Sequence, residues 1–221
     1  MPINTPLTGP YAVPDTVPVF PLAGALLLPR AELPLNIFEP RYVAMIDHAL
    51  AGRRLIGMVQ PSPDAAPGTP SLCAVGCLGR LTAFMETGDG RYLVTLTGIS
   101  RFRLVDEVEA ATPFRQWRID TRPFAGDFGP DGSAMSFDRE RLLDTLRDYL
   151  DANNLSIDWD EIDGTDDETL VNSLSMAAPY GVREKQALLE AGDMSRRAEL
   201  LIAITERQLG AGESDDGPML Q

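Results

Sequence analysis

The chain has 221 residues, 44% of them apolar, and a net charge of −14, which is the composition of a globular protein able to build a core. Its longest apolar stretch, Val17 to Leu28, is interrupted by Pro18 and Pro21 and falls short of the ~20 residues of a membrane helix. With no basic flank it is not a signal peptide either, and the expected compartment is the cytoplasm, away from membranes.

Residues 1–16 carry Pro2, Pro6, Pro10 and Pro14 and read as a flexible leader. A β-rich subdomain is expected over 17–122. Its first strand begins at Val17–Phe20, a turn follows at Pro21–Gly24, and Pro29 to Pro34 reads as a loop. Leu35, Ile37 and Phe38 form the end of a strand. Pro40 then opens a helix in which Tyr42, Val43, Ile46, Ala49 and Leu50 share a face and Gly52 ends the run. Glu39 and Arg41 flank the proline at this joint. A carboxylate held there is positioned to accept from Arg101 and so tie two parts of the β unit together, a structural role.

Arg54–Gln60 reads as a buried strand and Pro61–Pro70 as a loop. Ser71–Met85 is a further strand, bent near Gly76 and Gly79. Cys73 and Cys77 stand four apart, and His48 is the only histidine, so the pair reads as buried thiols, with no metal and no cofactor expected. Gly88-Asp89-Gly90 marks a hairpin between Leu81–Thr87 and Arg91–Thr97, both faces of which are expected to be partly covered. Gly98 separates Ile99–Val105, with Phe102 and Leu104 on one side, and Phe114–Thr121 ends the set. Six or seven short strands with one inserted helix make a barrel-like or sandwich unit.

A Gly/Pro-rich connector over 123–136 contains Phe124 and Phe128, candidate binding residues because aromatic rings on loops suit recognition of unfolded polypeptide. Beyond it the apolar period becomes helical, giving a helical subdomain over 137–210. Ser136 caps a helix to about Ala152, and Thr165–Glu168 forms a capping box. Pro179-Tyr180-Gly181 breaks that helix, a short polar helix carries a solvated Lys185, and Ser195 caps the last helix before Gly210. Residues 211–221 form an acidic tail. The fold class is therefore α+β.

The charge is distributed unevenly. Residues 1–119 hold as many arginines as carboxylates, so the whole negative excess lies in 120–221, which argues against nucleic acid as a partner. The acidic run Asp158–Glu168 fails the EF-hand template, since position 6 would be Asp163 and not glycine. Asp47 cannot orient the adjacent His48, because neighbouring helical residues point apart, and the polar helix around Lys185 offers nothing to lower a lysine pKa. An enzyme is not expected.

The ordered set Val19-Phe20-Pro21-Leu22, Phe38-Glu39-Pro40-Arg41-Tyr42, Ile56–Val59, Gly98–Arg103 with Arg101-Phe102, and Lys185–Glu190 resembles the amino-terminal, substrate-binding domain of the Lon proteases. That resemblance implies a β-rich pseudo-barrel with one inserted helix followed by a helical bundle. It also implies binding of unfolded or exposed polypeptide segments, in partnership with a separate protease, and a part in homo-oligomers. The sequence holds no Gly-x-x-x-x-Gly-Lys-Ser/Thr phosphate loop, and the Ser–Lys protease domain is absent, so a free-standing, non-catalytic module is expected. The alternative is a small-molecule-binding or regulatory domain of the same fold.

Overall fold

The computed structural model describes residues 6–64, 71–129 and 136–213, apart from the side chains of Glu161 and residues 211–213. Residues 65–70 of the expected Pro61–Pro70 loop, the connector residues 130–135 and the acidic tail from 214 lie outside the described residues. The chain divides into two compact units: the described residues of Met1–Asp131 together with Pro179–Leu189, and those of Gly132–Ala178 together with Glu190–Gln221.

The first unit is built on β1 (Thr16–Pro21), β2 (Glu32–Ile37), β3 (Leu55–Val59), β4 (Val75–Glu86), β5 (Tyr92–Val108) and β6 (Gln116–Asp120). They form a sheet in the order β2-β5-β4-β3-β1-β6, which closes because the second half of β5 also pairs with β6, for example Leu104 with Ile119. The glycine at 98 does not end a strand, as the sequence suggested. β5 runs through it for 17 residues. A glycine is required there because a Cβ would lie 1.9 Å from the Leu28 carbonyl oxygen. β1 and β3 pair in parallel, joined by a crossover through β2 and the helix α1 (Pro40–Ala51).

Val17, Val19, Leu55, Val59, Leu78, Phe102 and Ile119 fill the ring. The Phe102 ring occupies space left by glycines: a Cβ on Gly76 would sit 2.7 Å from its Cζ and 2.5 Å from the Met58 carbonyl oxygen. One of those neighbours is backbone and the other a fully buried ring, so neither can yield cheaply. Gly76→Ala should therefore lower stability by about 1–3 kcal/mol, read as the shift in a urea unfolding midpoint. On the other side of the sheet α1 buries Tyr42, Met45, Ile46 and Ala49, and the Tyr42 ring packs 4.3 Å from that of Phe20. The described residues of the leader, 6–16, are packed on this unit. Leu7 and Val13 pack against the ring's core, a short 3-10 turn spans Pro10–Ala12, and Arg53 donates to the Ala12 carbonyl at 2.8 Å.

The second unit contains α2 (Arg139–Ala152), α3 (Trp159–Gly164), α4 (Asp167–Ala177) and α6 (Met194–Glu213). Helix caps differ from the expectation by one or two residues. Asp138 accepts from Arg141 N, Asp166 from Thr169 N and Asp193 from Arg196 N, each carboxylate meeting a first-turn N–H that would otherwise go unpaired. Ser195 Oγ instead accepts from Ser136 N at 3.0 Å. The acidic run expected as a loop contains α3, which Arg139 closes by donating to the carbonyls of Ile162 and Thr165 and pairing with Asp167. Leu142 and Leu150 of α2, Leu170 and Val171 of α4, and Leu201 and Ile202 of α6 are buried.

One helix lies elsewhere than the sequence suggested. α5 (Val182–Glu190) has all but its last residue in the first unit, and Lys185, expected in solvent, is buried. Its Nζ donates to the Gly24 carbonyl at 2.8 Å, while Gln186 donates to the Val75 carbonyl and accepts from Gln60, which also donates to Val182 O. Polar side chains at 185 and 186 thus fasten the helix to the turn after β1 and to the start of β4 through backbone carbonyls. Burial pushes the Lys185 ammonium below the usual lysine range. Between the folded and unfolded values the unfolded chain binds more protons, so this group makes stability rise with pH. In thermal melts from about pH 7 to about pH 10, the parent should gain on Lys185→Met.

Candidate functional site

Outside the ring, the first half of β5 runs between β2 and the second half of β4 as a three-stranded ribbon. The register places Asn36, Leu93 and Met85 in one row across it, and Pro34, Thr95 and Ala83 in the next. Irregularities between Leu78 and Gly79 and between Leu81 and Ala83 change which side chains share a face along β4 and β5. Side chains that would face a core in a regular ladder therefore reach solvent here. Met85 is 56% and Leu93 38% exposed, Phe84 on the other side is 42% exposed, and Phe38, directly after β2, is 64% exposed. These are four of the seven large apolar side chains exposed among the described residues, so the ribbon is where open apolar surface concentrates. An open hollow of ≈ 480 Å³ lies along it, lined by Pro34, Phe84, Met85 and Leu93 among others. The ribbon is anchored to α1 by the Tyr92 hydroxyl, which donates to Asp47 at 3.1 Å and whose pKa that bond raises. A second hollow, of ≈ 380 Å³, lies between α2 and α6 beside Phe137, Arg141 and Ile202.

The model of the ATP-dependent protease La (LON) substrate-binding domain matches residues 16–207. The chain belongs to this Lon substrate-binding domain family. It is 31% identical over 211 residues to Lon protease 2 of Sorangium cellulosum, a match covering 91% of this chain but 26% of that protein. The chain thus spans about a quarter of the length of the curated relatives it matches. Among solved structures, a Lon N-terminal domain protein from Xanthomonas campestris superposes with a TM-score of 0.57 at 22% identity, over 85% of this chain and 97% of that one. The N-terminal domain of the Mycobacterium avium complex Lon protease does so with 0.58 at 18% identity, over 86% and 98%. Both share the α+β fold.

Within this Lon-type domain the Phe38–Tyr42 motif divides its labour differently from the expectation. Tyr42 is the residue that faces inward, and its hydroxyl donates to the Pro21 carbonyl at 3.5 Å. Phe38 points to solvent. Glu39 does not meet Arg101. It accepts from Arg41 at 2.9 Å in a half-exposed pair, and its backbone carbonyl receives the first turn of α1. Arg101 instead grips Asp127, with Nε donating to Oδ2 at 2.9 Å and Nη2 to Oδ1 at 2.8 Å, and its backbone N–H also donates to Oδ2. The side chains of this pair are 8% and 10% exposed. The partner was missed because Asp127 lies in the connector, where sequence offers no period by which to orient a side chain.

The same cluster explains Phe124. Its ring is half-buried with the Arg101 guanidinium 4.9 Å from the centroid, so one face is already covered. Phe128 is also half-buried. Neither is brought to the ribbon. Asp47 is engaged by Tyr92, and the His48 ring packs tilted against that of Phe114 at 5.3 Å, an arrangement with no hydrolytic geometry. No cluster of His, Cys, Asp or Glu suited to a metal ion occurs among the described residues. No described helix is long and apolar enough to cross a membrane.

Proposed function

We propose that this protein is a non-catalytic binding module for unfolded or exposed polypeptide segments and that it takes them on the ribbon of β2, β4 and β5. The observation that carries this reading is the grouping of Phe38, Phe84, Met85 and Leu93 in the open on a hydrogen-bonded scaffold. Apolar groups held out by a rigid sheet suit clients that expose apolar side chains and are buried in native proteins. Kinship with the substrate-binding part of Lon proteases favours a polypeptide client over a metabolite, as does the hollow's position on an open strand surface. The one lysine is engaged with the Gly24 carbonyl, which leaves no Ser–Lys pair to assemble. Clients would pass to a separate protease in the cytoplasm, and the acidic second half disfavours nucleic acid. The assignment leaves Phe124 and Phe128 to the connector's packing. Fluorescence anisotropy with labelled, reduced and carboxymethylated α-lactalbumin tests it. Saturable binding is expected, with native α-lactalbumin as a non-binding competitor. Equal competition by the native form would overturn it.

A further inference from the structure

The backbone at the ribbon's open edge indicates how a client is held. β2 ends the sheet order and, among the described residues, pairs only with β5. Gly98 N donates to Ala31 O and Arg30 N to Gly98 O, both at 2.9 Å, which sets the phase of the ladder. In an antiparallel pair such bonding recurs at every second residue, so Leu33 and Leu35 bond inward to Leu96 and Val94. Glu32, Pro34 and Asn36 then turn their backbone groups outward, and all three are exposed. The middle one is a proline, which has no N–H to offer, and Glu32 adds a carboxylate at the same edge.

We infer that Pro34 closes this edge to strand addition, so that the client is held by its side chains on the faces of the ribbon and not by its backbone along β2. This rests on the proposed binding role of the ribbon for its occupant, an extended unfolded polypeptide, while the guarding of the edge stands on the register alone. A recogniser of this kind reads apolar content with little regard for sequence or register, because no alternation of backbone bonds fixes the client's phase. It also protects the protein itself, since an open strand beside exposed Leu93 and Met85 would pair with the same strand of a second copy.

The test is Pro34→Val, which restores the outward N–H in a residue suited to strands, with Pro34→Ala as a second variant should the first fail to fold. Light scattering coupled to gel filtration should show an apparent mass that rises with concentration above that of the parent. Amide exchange should show new protection at Glu32 and Asn36 in the associated form. Variants that fold and keep the parent's mass at every concentration would overturn the guarding role. In parallel, the parent is titrated with an apolar peptide that binds it and with the same peptide N-methylated at alternate residues. Affinities within about threefold are expected, since a loss of backbone donors matters only to strand addition. A loss of tenfold or more would overturn side-chain capture. If neither the peptide nor unfolded α-lactalbumin binds the parent, the binding role of the ribbon falls, and the masses of the Pro34 variants still decide whether the edge is guarded.

Discussion

Asp127→Ala should be the most damaging single substitution of a charged residue in the first unit, lowering stability by about 3–5 kcal/mol and its melting temperature by about 6–20 °C. The Asp127 carboxylate meets the Arg101 guanidinium through Nε and Nη2 and takes the Arg101 backbone N–H as well. Removing it leaves a buried guanidinium facing a cavity, with its Nη1 still 3.3 Å from the Leu189 carbonyl but without a counter-ion in the carboxylate's place. The cost is chiefly that of a buried charge stripped of its counter-ion, which far exceeds the net worth of the intact pair. It would also loosen what the pair clasps, because Arg30 donates to the Asp127 carbonyl and the Phe124 ring lies against the guanidinium. Glu39→Ala is the informative contrast. Its pair with Arg41 is half-exposed, so the loss should stay within about 1 kcal/mol, although Glu39 belongs to the motif that marks the family. Differential scanning calorimetry of both variants decides the matter. Equal melting temperatures would show that Arg101 finds other partners.

The family and the broad architecture were legible because they rest on local signals. Pro40 at a helix start, the Gly88-Asp89-Gly90 turn and the change from a period of two to a helical period each act within a few residues. What was not legible depends on distant partners. Glu39 and Asp127 are both carboxylates within reach of a speculative pairing, and only the folded path of the connector selects Asp127 for Arg101. Lys185 sits among Arg183, Glu184 and Gln186, a string that reads as surface. Backbone carbonyls at Gly24, in the turn after β1, and at Val75, which opens β4, make it a buried docking segment. The ribbon was hidden for a different reason. Alternation in Tyr92–Thr97 shows two faces but not which one is covered, and the register shifts in the β4–β5 ladder, which no residue type announces, decide it. Glycines at 76 and 98 could be read as bends, whereas each one makes room, for the Phe102 ring and for the Leu28 carbonyl.

The second large effect concerns binding. Leu93 and Met85 stand side by side across β5 and β4 and are the two apolar residues of their row, with Asn36 completing it. Each buried apolar side chain contributes about 1.5–3 kcal/mol when fully covered, and partial cover by a mobile client gives less. A carboxylate at either position also sets a charge where the client's apolar group must lie, and burying it unpaired is costly. Leu93→Asp with Met85→Asp should therefore weaken client binding by at least about tenfold, or 1.4 kcal/mol. Stability should change by no more than about 0.5 kcal/mol per site, because both side chains are open to solvent in the folded protein. Phe124→Ala, in contrast, alters the packing beside Arg101 and should shift the melting temperature more than the affinity.

The most direct measurement is an anisotropy titration of labelled, carboxymethylated α-lactalbumin with the parent and with the Leu93→Asp, Met85→Asp double variant, each shown by its melting curve to be folded. A ribbon that binds clients predicts saturable binding by the parent and a tenfold or greater loss in the double variant at unchanged melting temperature. Indistinguishable curves from the two proteins would contradict it and would move the binding surface elsewhere on the molecule.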